Sequence, residues 1–374
     1  MHRHLFHWLI RKFYNLLFLG KWKEKIVPLD PSQVKKILII RNDNIGDVVC
    51  TTPLIEVLRR LYPQAFLAVL VCRLTEEVVI GNPFLDKVFV YDKAKHGRYK
   101  SVWQAWQKQF EVLIEIQRMR FDLVLGVRVA FSTPQAWMAF FSRAKWRIGR
   151  VPRPKEEKFS FFYTHLLPMP SGLLHEVLVG IDFLTPLKTD TQDLRLHFPV
   201  SNEAQKRVEE FFVREGLVGQ HPLVGIHLTS RMEEDRYWSD ENYVRLLQTL
   251  SSRPGFKVIF SFGPDKRAEA ERILQAMPAD FPRFCPSDLK TFGALALALD
   301  VLVTLVGGPM HVAAAVETPL VALFGNTDPR EWAPWGKQHI VLRKGTQENA
   351  ITVEDVLAAI DQQLSKIPVR NGLP

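Results

Sequence analysis

Four short stretches of this chain gather residues able to handle an anion or a proton: residues 42–52, 229–238, 263–267 and 306–311. The last reads Val306-Gly307-Gly308-Pro309-Met310-His311. Its glycines let the backbone approach a ligand, and Pro309 suits the start of a helix whose first N–H groups are unpaired. That is a seat for phosphate, to which His311 can add a donor. Arg231 and Arg236, in the second stretch, can neutralise a diphosphate or pair with the neighbouring Glu233, Glu234 and Asp235. The first stretch carries Asp43 and Asp47. An anion seat facing a carboxylate suits group transfer, with a phosphate leaving on one side and a proton accepted on the other. Blander readings stand beside these. Any strand–turn–helix uses such glycines, and an aspartate at a helix start often only caps it, worth about 1 kcal/mol. Trp238, Trp332 and Trp335 can stack on a base or sugar, or simply pack.

The elements that must position these residues are legible as apolar runs. Residues 35–41, 66–71, 87–91 and 121–127 read as strands; a glycine turn and a helix with Val48, Leu54, Val57, Leu58 and Leu61 on one side follow the first, and another helix spans about 101–119. Continuous apolar strands imply a parallel sheet covered on both faces. The basic segment 142–168 (Arg143, Lys145, Arg147, Arg150, Arg153, Lys155) reads as a loop or excursion. A helix follows over 175–187, and 189–199 reads as a linker entering a short strand. The alternation then repeats, with strands at 223–227, 257–262, 301–305 and 320–324, and Ser239 capping a helix. A last helix over 352–367 follows no further strand and is expected to pack back on the first half. The expected division is a basic helix (1–30), a first α/β domain (31–195), a second (196–350) and a C-terminal helix and tail (351–374). Two doubly wound domains put their ligands outside the carboxyl ends of their strands, where the four stretches fall.

With 374 residues, 47% apolar and 24% charged, the chain has the make-up of a globular protein large enough for two cores. Its net charge of +9 points to an anionic partner. Three scattered cysteines give no metal-ligand spacing and suit a reducing compartment. No GxGxxG follows the first strand and no GxxxxGK[ST] occurs, which disfavours a dinucleotide-dependent dehydrogenase and a P-loop NTPase. Nothing resembles a zinc finger or an RNP motif, so no nucleic-acid partner is expected. The N-terminal segment carries Phe6, Leu9, Ile10, Phe13, Leu16 and Leu17 at helical spacing, with Arg3, Arg11, Lys12, Lys21, Lys23 and Lys25 among them. It is too short and too charged to span a bilayer and lacks a signal-peptide cleavage site. It fits either an anionic membrane surface or the flank of its own domain.

These motifs together resemble glycosyltransferase family 9, the ADP-heptose:lipopolysaccharide heptosyltransferases. The resemblance runs from about Lys35 to the C-terminus. It rests on KKILIIRNDNIGDVVCTTP, WRIG at Trp146, HEV at His175, GIHLTSR with YWSDENY, FGPDKRAEAE and GGPMHVAAAVETPLVALFGNTDPREWAPWG. It implies an α/β fold of the GT-B kind, two Rossmann-like domains facing across a cleft, with the nucleotide-sugar in the C-terminal domain and the acceptor in the N-terminal one. It further implies an inverting, metal-independent transfer, probing no cofactor beyond a donor that is expected to be ADP-linked. Asp47 matches the family's general base. Thr229 and Ser230 match hydroxyl residues contacting the diphosphate, and Arg236 stands where a lysine is usual. Gly263, Met310 and His311 match positions lining the nucleotide, beside the Gly307–Gly308 turn. Asn44, Arg147 and Arg150 are the acceptor-side candidates, on a segment suited to a phosphorylated lipid-linked or lipopolysaccharide acceptor. A cytoplasmic site, peripheral on the inner face of the inner membrane, follows from such an acceptor.

One departure stands out. Val306 replaces a residue that is usually acidic and cannot accept hydrogen bonds from a sugar. It implies a different donor, weaker binding or a non-catalytic relative that kept the fold and binds a glycan or nucleotide.

Overall fold

The computed structural model describes residues 28–91, 102–187, 193–229 and 237–366. The basic N-terminal segment expected to form an amphipathic helix, and the site candidates Ser230, Arg231 and Arg236, lie outside the described residues.

The first half runs β1 (Lys36–Ile40), α1 (Ile45–Leu61), β2 (Phe66–Cys72), α2 (Glu76–Val79), β3 (Lys87–Tyr91), α3 (Val102–Met119), β4 (Leu123–Gly126), α4 (Thr133–Phe141), β5 (Trp146–Arg150), β6 (His165–Leu167) and α5 (Glu176–Asp182). The second runs α6 (Asn202–Arg214), β7 (Leu223–Leu228), α7 (Asp240–Ser251), β8 (Lys257–Phe262), α8 (Arg267–Leu274), β9 (Arg283–Phe284), α9 (Leu289–Leu297), β10 (Val301–Leu305), α10 (Gly308–Ala315), β11 (Leu320–Phe324), α11 (Pro329–Trp332), β12 (Ile340–Arg343) and α12 (Val353–Leu364). The sheets are ordered β3-β2-β1-β4-β5-β6 and β12-β11-β10-β7-β8-β9. All the pairings are parallel. Counted from its own first strand, each sheet follows the order 3-2-1-4-5-6 of a doubly wound nucleotide-binding domain. Strands β4, β7, β10 and β11 are buried along their whole length, as their unbroken apolar runs require. This is the GT-B architecture.

Four expectations are corrected. Residues 142–168 are no excursion: β5 and β6 extend the first sheet, joined by a 3-10 segment, Pro154–Phe162. The described residues 193–199 form no strand. An edge strand, β12, precedes the last helix. That helix, α12, packs on the second sheet rather than the first domain. Its Val353, Val356, Ala359 and Ile360 share a core with Val301, Val303, Val321 and Leu323, and Gln363 Nε2 donates to Leu320 O at 2.8 Å.

The halves are docked on one another. α10 packs against α1, and α9 against α2. Glu77 in α2 accepts from the first N–H groups of α9, Leu289 at 2.8 Å and Lys290 at 3.2 Å, supplying partners that a helix start lacks. Lys290 Nζ returns across the junction to Ile80 O (2.9 Å). A single apolar cluster runs through the contact, from Val48 and Leu54 of α1 to Val306, Met310 and Val312.

Candidate active site

A doubly wound sheet opens a crevice where strand order reverses, between β1 and β4 in the first sheet and between β7 and β10 in the second. β1 leads into Arg41–Asp47, and β10 into Val306–Gly308. The helices that leave these turns meet N-terminus to N-terminus, and both contacts depend on glycine. A Cβ on Gly46 would stand 2.7 Å from His311 Cδ2, and one on Gly308 would stand 2.9 Å from Ile45 Cβ.

Asp47 occupies the third position of α1 and forms a capping box with Asn44, its Oδ2 accepting from Asn44 N at 3.2 Å. Its Oδ1 accepts from Arg41 Nη2 at 2.7 Å. The side chain keeps 16% of its surface exposed, so one face of the carboxylate reaches the crevice. Asn44 is exposed at the same lip.

Arg41 is the residue that organises this side, and the motif reading missed it. It is buried, with Nη1 donating to Val127 O at 3.0 Å and its charge facing Glu176 at 2.5 Å, Asp47 at 2.7 Å and Asp43 at 3.5 Å. Burial alone would lower its pKa, but Glu176, Asp47 and Asp43 outweigh that and hold it protonated more firmly than a free arginine. Arg128 pairs with the other oxygen of Asp43 at 3.0 Å. Three carboxylates thus face two guanidinium groups. Burial raises the pKa of Glu176, an effect that Arg41 opposes. A signal for Arg41 was present, since a charge ending the buried run KKILIIR must find partners.

On the other side, Thr229 lies at the end of β7, its Oγ1 3.3 Å from Thr304 Oγ1 and its methyl group against Gly307. Gly263 starts the turn after β8. Gly307 and Gly308 are partly exposed, and α10 begins there. Thr229, Gly307 and Gly308 therefore share the second switch point, with Gly263 at the adjoining strand end.

Met310 and His311 do not face an open crevice. Met310 is fully buried, and His311 turns towards α1, its Nδ1 3.7 Å from Cys50 Sγ and its ring edge-on to Trp332. Burial, then the nearby His175, lower the His311 pKa to about 4 against the pull of Asp47. It is neutral at pH 7 and adds no charge to an anion. Val306 is also buried, within the apolar cluster.

Arg147 and Arg150, expected at an acceptor surface, are buried in β5. Arg147 donates to Phe162 O (2.8 Å) and Ala144 O (2.7 Å). Arg150 donates to Arg128 O (3.1 Å) and Pro168 O (2.7 Å) and pairs with Asp182 at 2.5 Å. Their guanidinium groups turn back onto carbonyls, which is how a strand accommodates them. Trp238 and Trp335 are packing residues, donating to Ile351 O and Leu194 O. Trp335 also lies against the ring of His175, 4.8 Å between centroids. His175 Nδ1 accepts from Val177 N, so its proton sits on Nε2 and goes to Ala333 O at 2.9 Å, a latch between the halves. Among the described residues, no group of three or more His, Cys, Asp or Glu is placed to hold a metal ion.

Two facing doubly wound domains, with a carboxylate at one switch point and a glycine turn at the other, define a glycosyltransferase fold. The chain belongs to glycosyltransferase family 9 (heptosyltransferase), whose profile matches residues 111–358, and it is accordingly a glycosyltransferase. Lipopolysaccharide heptosyltransferase 3 of Escherichia coli is 27% identical over 344 residues, covering 85% of this chain and 96% of that protein. A family 9 glycosyl transferase from Veillonella parvula superposes with a TM-score of 0.80 at 24% identity, covering 92% and 100% of the two chains. The E. coli heptosyltransferase WaaC with ADP gives 0.71 at 18% identity, covering 88% and 99%.

Proposed function

We propose that this protein transfers heptose from ADP-heptose to a lipopolysaccharide core or related surface-glycan acceptor, inverting the anomeric carbon without a metal ion. Family membership supports the sugar, and the names of the relatives support the acceptor. The WaaC structures, with ADP and with ADP-2-deoxy-2-fluoro heptose, support the donor. Such an acceptor calls for work at the cytoplasmic face of the inner membrane, on which an amphipathic N-terminal segment would give a peripheral hold.

The observation that carries the mechanism is Asp47, a partly exposed carboxylate beside the meeting point of α1 and α10. In the transfer, an acceptor hydroxyl oxygen bonds to the anomeric carbon from the face opposite the leaving group. The bond from that carbon to the β-phosphate oxygen breaks, ADP departs with the electron pair, and the hydroxyl proton passes to Asp47. An aspartate owned by a single arginine would be a poor base. Here Arg41 is shared with Glu176 and Asp43, so it orients the carboxylate without fully neutralising it. The Gly307–Gly308 turn and the first N–H groups of α10 suit the departing diphosphate, with Thr229, Ser230 and Arg236 as further contacts.

Val306 favours a second reading, a non-catalytic glycan- or nucleotide-binding relative. One assay separates the two: ADP release from ADP-heptose with a core acceptor, repeated with chelator. Acceptor-dependent release that survives chelation supports transfer. Nucleotide binding without release with any donor would leave only the binding role.

A further inference from the structure

Apolar side chains stand out in solvent beyond the carboxyl ends of β4, β5 and β6. Of the thirteen large hydrophobic residues exposed among the described ones, five lie in the segments after β4 and β5 or in and after β6: Val129, Val151, Leu166, Met169 and Leu173, between 38% and 51% exposed. The buried guanidinium of Arg150 staples these segments together by donating to Arg128 O and Pro168 O, while Val151 N donates to Leu167 O at 2.9 Å. The rim is thus built on a rigid support. Residues 166–174, LLPMPSGLL, carry no charge. The adjoining 3-10 segment and its lead-in expose Arg153, Lys155 and Lys158 against one exposed acid, Glu157. Arg128, next to Val129, pairs with Asp43 beside the candidate site, so the rim borders the crevice.

We propose that this rim is a bilayer-docking face: residues 168–174, with Val129 and Val151, enter the headgroup layer of an anionic membrane while Arg153, Lys155 and Lys158 meet lipid phosphates. Apolar side chains on an uncharged loop beside basic ones match such an interface, in which hydrocarbon burial and attraction to anionic lipid act together. The choice of a membrane over a protein partner rests on the proposed reading that the acceptor is lipid-anchored. An acceptor whose acyl chains stay in the bilayer is reached only if the lip of the crevice faces that surface. The docking face is made of residues between 129 and 174 and includes none of the basic N-terminal segment.

The test uses the full chain and vesicles without acceptor. Replacing Cys285 with serine leaves Cys50 and Cys72, both buried. A single cysteine is then introduced by Met169→Cys or, as a control on α6, by Val213→Cys, and labelled with an environment-sensitive nitrobenzoxadiazole dye. With phosphatidylglycerol-containing vesicles, the label at 169 shifts its emission to the blue and the label at 213 does not. Pure phosphatidylcholine vesicles shift neither. A Met169→Asp/Leu173→Asp chain, checked for an unchanged melting temperature, partitions onto the anionic vesicles about tenfold less. Co-sedimentation with the label at 169 still in water would overturn the proposal, and so would undiminished partitioning of the double variant. Neither readout involves sugar transfer, so failure of ADP release with docking intact counts only against the proposed activity.

Discussion

Gly46 of the first domain and His311 of the second touch so closely that a Cβ on Gly46 would stand 2.7 Å from the imidazole. The ring is buried between Cys50 and Trp332, so a methyl group forces α1 and α10 apart. Gly46→Ala is therefore expected to cost about 1–3 kcal/mol in urea unfolding. Gly180→Ala is the control, since its Cβ would meet Leu54 at an ordinary 3.7 Å. Equal stability of the two variants would contradict the contact.

Asp47→Asn keeps a capping side chain and removes the base. The rate of ADP release at saturating donor should fall by roughly a hundred- to ten-thousand-fold, with a melting temperature close to that of the parent. A fall of only a few-fold would reduce Asp47 to a cap.

Buried histidines make stability depend on pH in a definite direction. His311 and His339 are held at about 4 by burial, and His227 at about 3. In the unfolded chain each imidazole takes a proton below about 6.5, and in the native protein each refuses it. Their contribution is complete above about pH 6.5 and drains away as the pH falls towards 4 for His311 and His339 and towards 3 for His227. For His311 it is on the order of 3 kcal/mol. Unfolding curves at pH 7 and pH 5 should show His311→Asn losing less stability than the parent over that interval. A parallel loss in both proteins would mean that His311 titrates normally.

Arg150→Lys retains the charge but asks one ammonium group to serve Arg128 O, Pro168 O and Asp182. Thermal unfolding should show a loss of about 2 kcal/mol or more. The acceptor KM, measured well below the melting point, should stay near the parental value. A raised KM at unchanged stability would restore the direct acceptor role expected from the sequence.

What was legible in the sequence is what depends on local pattern. The long apolar runs read as strands covered on both faces, and the polar turns that follow them marked the strand ends, which is where Asp47, Thr229 and Gly308 stand. The rest required partners distant in the chain. Arg41 meets Glu176, 135 residues away, and no spacing announces that. Arg147 and Arg150 looked like a solvated basic stretch because a count of charges does not show a guanidinium folding back onto carbonyls. His311 looked like an anion donor until α1 was seen to cover it. The last helix was legible as a helix, but not which sheet buries it. β12, four residues at an edge and only partly buried, was too short to stand out.

The apolar cluster shared by α1 and α10 has a consequence for how the molecule comes apart. Neither half owns the surface that the other covers, so separating them exposes Val306, Met310 and Val312 together with the inner side of α1. The two halves should melt as one cooperative unit: a single calorimetric transition, with calorimetric and van't Hoff enthalpies in agreement. Two resolved transitions would instead mark each half as an independently folding body.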